Sequence, residues 1–120
     1  MRNKGLEQLA GIILMLAAMM GTGRAQSVQA GKRVQAADAS KGEQVYEQKC
    51  EICHFRTATE KKIGPGLAGL MKREKFRNGM RADDDNLRLV IERGGKDMPG
   101  FRGQLNDAQI RDLIAYVKTL

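Results

Sequence analysis

Cys50-Glu51-Ile52-Cys53-His54 holds the only two cysteines and the only histidine of this 120-residue chain. Two thiols three positions apart with an imidazole directly after them is the spacing for covalent haem attachment. Each thiol can add to one vinyl group of the haem edge, and the adjacent imidazole can bind the iron. Three other chemistries use part of this pattern. A structural zinc site usually takes four protein ligands, and the motif supplies three. A thioredoxin-like redox pair needs a strand and a βαβ surround, which the chain lacks. A plain disulfide would close too small a ring to constrain the unfolded chain much.

The N-terminus favours the haem reading. Arg2 and Lys4 precede an apolar run from Leu9 to Met20, and small residues follow, with Ala25 and Ala30 ending two candidate cleavage sites. Positive start, apolar middle and small-residue end describe a secretory signal peptide. The run is shorter than the roughly 18 to 20 residues of a membrane-spanning helix. An uncleaved anchor is the rival reading. The expected organisation is a signal peptide over 1–25 (cleavage as late as 30), a flexible polar leader over 26–37 and one domain over 38–120. The expected location is periplasmic or secreted, with no stable membrane span after cleavage.

About 80 folded residues make a thin side-chain core. The whole chain has no Trp, two Tyr and three Phe, so a buried haem would supply apolar bulk that its aromatics do not. Without the first 25 residues the chain keeps 18 basic and 13 acidic residues, a formal +5. A moderately basic surface suits steering toward an acidic partner. Basic and acidic residues are interleaved and no nucleic-acid motif is present, which argues against nucleic-acid binding.

No segment alternates with period two, so the chain reads as all-α. Asp38 or Ser40 starts a first helix that runs to Cys50, with Gly42 inside it. Gly42 marks either a close approach or tolerance near a frayed end. Phe55 to Ile63 is polar loop, Gly64-Pro65-Gly66 is a turn, and Leu67, Leu70 and Met71 form a short helical face. Lys72 to Arg81 is basic and broken by Gly79. The Asp83-Asp84-Asp85-Asn86 run offers caps for a helix bearing Leu87, Val90 and Ile91, which Gly94 and Gly95 end. Met98-Pro99-Gly100-Phe101 is extended or turning. Asn106 and Gln109 form a capping box for a last helix with Ile110, Leu113, Ile114 and Val117 on its apolar face and Tyr116 beside it.

With the pentapeptide, Gly64-Pro65-Gly66-Leu67 and Met98-Pro99-Gly100-Phe101 in that order, the chain resembles a class I c-type cytochrome from about Asp38 to Leu120. The resemblance implies the cytochrome c fold, three main helices and loops wrapped around one covalent haem c. Cys50 and Cys53 match the thioether attachment points and His54 the proximal iron ligand. Pro65 matches the proline whose carbonyl accepts the imidazole N–H, and Leu67 an apolar residue against the haem. Met98 matches the distal ligand, and Gly42 and Tyr116 match the crossing of the first and last helices. Met80, in a loop after Gly79, competes with Met98 for the iron. Arg73, Arg77, Arg81 and Asn78 are all candidates for the haem propionates.

The expected function is one-electron transfer by a non-enzymatic monomeric carrier between respiratory or dehydrogenase partners with acidic docking surfaces. Two alternatives stand beside it: a haem subunit of a larger oxidase or dehydrogenase complex, and a peroxidase or sensor with an open iron site.

Overall fold

The computed structural model describes residues 35–120. The expected signal peptide and most of the leader lie outside them. Three α-helices, α1 (Ala39–Lys49), α2 (Asp84–Arg93) and α3 (Asp107–Val117), are joined by loops that include one 3₁₀ turn, Leu70–Lys72. Extended pairing among the described residues is confined to two isolated bridges, Lys75 with Arg81 and Arg102 with Leu105.

Each helix starts where the local chemistry provides a cap. The Asp38 carboxylate accepts from the N–H groups of Ser40 and Lys41, and that of Asp83 accepts from Asn86 N–H. Asn106 and Gln109 form the complete reciprocal capping box. These contacts satisfy amide donors that have no partner inside the helix. α1 ends one residue before Cys50, which is its C-cap. α2 ends at Gly94, whose φ of 68° is a conformation glycine adopts without a Cβ penalty.

The core is built where α1 crosses α3. Val45 and Tyr46 of α1 are buried, as are Ile110, Leu113, Ile114, Tyr116 and Val117 of α3. Gly42 is what lets the helices meet. A Cβ there would collide with the Asp112 carbonyl and lie 2.8 Å from Tyr116 Cβ. The close-approach reading of Gly42 therefore holds. The crossing is locked at its open end, where Asp38 N–H donates to Asp112 Oδ1 at 2.8 Å. The Tyr46 and Tyr116 rings meet at 5.5 Å between centroids, tilted by 52°. Tyr116 thus belongs to the buried face of α3 and does not merely flank it.

The basic stretch before α2 contributes one core side chain, Phe76, which is buried. Its N–H donates to the Met80 carbonyl, so a turn within Lys75–Arg81 folds Phe76 inward while its charged neighbours stay exposed. That compact turn is invisible to helical or strand periodicity.

Candidate functional site

The pentapeptide continues the winding of α1 for one more turn. The N–H groups of Cys53 and His54 both donate to the Cys50 carbonyl at 3.0 Å, and Glu51 N–H donates to Tyr46. Two thiols and an imidazole are thereby gathered within one turn. Both cysteines are free and half-buried. Burial, reinforced by the neighbouring Cys53, pushes the Cys50 thiol up to about 11. A disulfide-exchange site instead lowers its attacking thiol, so the direction of the Cys50 shift runs against the redox-pair reading. Among the described residues no three His, Cys, Asp or Glu side chains converge into a metal cage.

His54 is held on both its ring and its main chain. Ring Nδ1 lies 2.7 Å from the Pro65 carbonyl oxygen. A carbonyl only accepts, so Nδ1 carries the proton and Nε2 of the neutral ring keeps its lone pair for a metal. The backbone carbonyl of His54 accepts from the Tyr46 hydroxyl at 2.7 Å. Gly64 lies flat against the imidazole: a Cβ there would fall onto the ring, 2.8 Å from Nδ1 and 2.9 Å from Nε2. Two main-chain bonds fasten the Pro65 turn to the motif, Gly64 N–H to the Cys53 carbonyl and Leu67 N–H to the Phe55 carbonyl. The structure thus brings Cys50, Cys53, His54 and Pro65 into one constellation, with Leu67 buried beside it in the core.

Met98 sits in a clamped loop. Its carbonyl accepts from Gly95 N–H, and Phe101 N–H donates back to the Ile91 carbonyl in α2. A Cβ on Gly94 would strike the Met98 carbonyl and come within 2.6 Å of Gly100 N, so the loop closes only around glycine. Met98 and Met80 are both half-buried and pack against the core. The Met80 sulfur is engaged locally, accepting from Asn78 Nδ2 at 3.1 Å. Of the propionate candidates, Asn78 is committed to Met80, and the Arg73 guanidinium donates to the Gly66 and Ala68 carbonyls. Arg77 and Arg81 are exposed.

Sequence reasoning passed over Arg56. Its guanidinium reaches Glu43, Glu47 and Glu51 at 2.8, 3.2 and 3.1 Å. It also lies over the Tyr46 ring at 5.2 Å and the Tyr116 ring at 6.0 Å. The signal that could have found it is the spacing of the three glutamates, four residues apart along α1 and its C-cap turn, which stacks them on one side of the helix.

The family model described as cytochrome c oxidase, cbb3-type, subunit III matches residues 37–117. The chain belongs to the c-type cytochromes. The cytochrome is similar to cytochrome c2 of Blastochloris viridis, 33% identical over 100 residues that cover 69% of this chain and 78% of that protein. It is 28% identical over 80 residues to cytochrome c6 of Diacronema lutheri, covering 67% of this chain and 93% of that one. A solved cytochrome c6 from the diatom Phaeodactylum tricornutum superposes with a TM-score of 0.56 at 25% identity, covering 69% of this chain and 93% of its own. The fold is accordingly the cytochrome c fold, and the cytochrome is a carrier of electrons with covalently bound haem c, not an enzyme. The donor set fits that group: two unbonded thiols within one turn, and an imidazole whose Nε2 is left free by the bond from Nδ1 to Pro65.

Proposed function

We propose that Cys50 and Cys53 hold the haem through thioethers, that His54 and Met98 are its axial ligands, and that the cytochrome relays single electrons between proteins with acidic docking surfaces. The observation that carries this reading is the 2.7 Å contact between His54 Nδ1 and the Pro65 carbonyl. It fixes the tautomer a proximal ligand needs and makes Nε2 the stronger donor. When bound, the haem supplies one iron that cycles between the ferric and ferrous states.

The rest of the work belongs to the chain. Gly64 leaves room for the imidazole ring, and Pro65 fixes its orientation. Leu67 and Leu70 keep the surroundings apolar and dry. Met98 is favoured over Met80 because its loop is held at both ends by main-chain bonds, whereas the Met80 sulfur already accepts from Asn78. With both His54 and Met98 holding the iron, no position would be left for a substrate, which suits a carrier and disfavours a peroxidase or sensor.

Docking has support on the surface. The exposed large hydrophobics among the described residues, Ile52, Phe55 and Ile63, all belong to the motif and the loop after it. Lys62 links the motif to the loop, since its Nζ donates to the Glu51 carbonyl and lies 5.3 Å from the Phe55 ring centroid. With Lys61 and Lys62 beside it, this patch suits a partner with an apolar centre and carboxylates at the rim. A periplasmic or secreted location follows from the expected signal peptide, and no helix among the described residues is long and apolar enough to cross a membrane.

The test is a redox-titrated visible spectrum of the exported protein, with its intact mass. Sharp bands of low-spin c-type haem and a mass beginning at Gln26 or Gly31 are expected; their absence would sink the reading. Met98→Ala should lower the reduction potential and open the iron to carbon monoxide. An unchanged potential in that variant, with the loss appearing in Met80→Ala, would reassign the distal ligand. Co-purification with a stable partner complex would replace the free carrier by a complex subunit.

A further inference from the structure

We propose that Tyr46 and Arg56 are positioning residues for the axial imidazole: together they clamp the main chain on either side of His54 onto the α1–α3 crossing. The proposal rests on His54 being an iron ligand, and concerns what holds it in place.

Pro65 fixes the His54 ring by a single hydrogen bond, which leaves the ring free to follow its own backbone. The backbone is fixed by Tyr46. This side chain is fully buried, and its one polar atom donates to the His54 carbonyl at 2.7 Å. The carbonyl has no other recorded partner, so the hydroxyl is what anchors it.

Arg56 closes the other side. It lies two residues past His54, yet its guanidinium returns to α1, where it spans three carboxylates and caps both tyrosine rings. The planar fork reaches Glu43 through Nη1 and Glu47 and Glu51 through Nη2. A lysine carries the same charge but neither the fork nor the flat face. The chain therefore leaves α1 at Cys50, turns through His54 and is brought back onto the helix it left. Three residues of this loop, Cys53, His54 and Phe55, also anchor the Pro65 turn by the contacts described above. Slack in the clamp reaches both ends of the Nδ1–Pro65 bond.

The clamp predicts a specific signature in the haem-loaded protein. Tyr46→Phe removes only the hydroxyl, and Arg56→Lys removes only the fork and stack. Neither changes net charge, so a shift in potential does not come from a gained or lost unit charge. A looser His54 weakens the bond to Pro65, makes the imidazole a poorer donor and favours ferrous iron. Both variants should raise the reduction potential, changing the ferric-to-ferrous ratio at the wild-type midpoint by about threefold, or about 28 mV for a one-electron couple. Both should speed amide exchange in the segment from Cys50 to Arg56 by about tenfold, the size of a modest local opening.

Asn106→Ala sets the baseline, because it weakens the cap of α3 without touching the clamp. It should lower the thermal midpoint and leave both other readouts at wild-type values. If Tyr46→Phe and Arg56→Lys behave like Asn106→Ala, the clamp is structural only and the proposal is overturned. If Tyr46→Phe yields no folded protein, Arg56→Lys decides by the same criteria. Wild-type protein without low-spin haem bands would instead fail at the ligation reading, before any variant is compared.

Discussion

At Gly42 a single methyl group decides whether two helices can touch. By intrinsic propensity, alanine would gain about 1 kcal/mol over glycine inside α1. Overpacking against a carbonyl costs about 1–3 kcal/mol when the obstacle is backbone. The Asp112 carbonyl is backbone, so the clash wins. Gly42→Ala should destabilise the protein by up to about 2 kcal/mol in chemical denaturation, and a stabilised variant would disprove the close approach. The sequence left this glycine open between two readings because the deciding atom lies 70 residues away. The same limit hid the hydroxyl of Tyr46. Its hydrogen-bond partner depends on how the motif turns back onto α1. Cys50, Cys53 and His54 were legible because their chemistry is local.

Helices were legible for a similar reason: caps are decided by residues three or four apart. Asp38, Asp83 and Asn106 all cap where their side-chain chemistry suggests. Asn106→Ala should cost about 1 kcal/mol of stability, measured by denaturation at neutral pH. Between Phe55 and Asp83 the Gly64-Pro65-Gly66 turn and the short helical face after it were legible, but the rest was not, because its order comes from long-range main-chain bonds and from turns that have no period. Phe76 is the clearest loss, a core side chain inside a stretch that reads only as basic and broken by Gly79. At the end of α2, hydrogen bonds from Arg102 and Arg88 hold the Glu92 carboxyl below its ordinary value of 4.5. A depressed carboxylate stabilises the fold above its unfolded pKa, and that contribution disappears as pH falls through the folded one. The stability difference between wild type and Glu92→Gln should therefore be full at neutral pH and shrink below about pH 4.5. A difference that persists undiminished in acid would show that the two arginine contacts contribute nothing.

For the molecule as a whole, charge and exposed apolar surface occur together beside the haem-attachment motif. Association with an acidic redox partner should slow as ionic strength rises, since screening shortens the reach of Lys61 and Lys62. Replacing both lysines by glutamate should lower the low-salt association rate by about tenfold or more while leaving the visible spectrum unchanged. Stopped-flow mixing across a salt series checks both expectations. The overall architecture was legible because three separated motifs appeared in one order, each with its own chemical reason.

Asp38 and Asp112 bond across 74 positions of sequence. α1 therefore has no surface to settle on until α3 is in place. Until then the tyrosine pair cannot form and Arg56 lacks half of its platform. The surroundings of the motif are thus written in two stretches of chain far apart in sequence, and a change that loosens either one loosens the other.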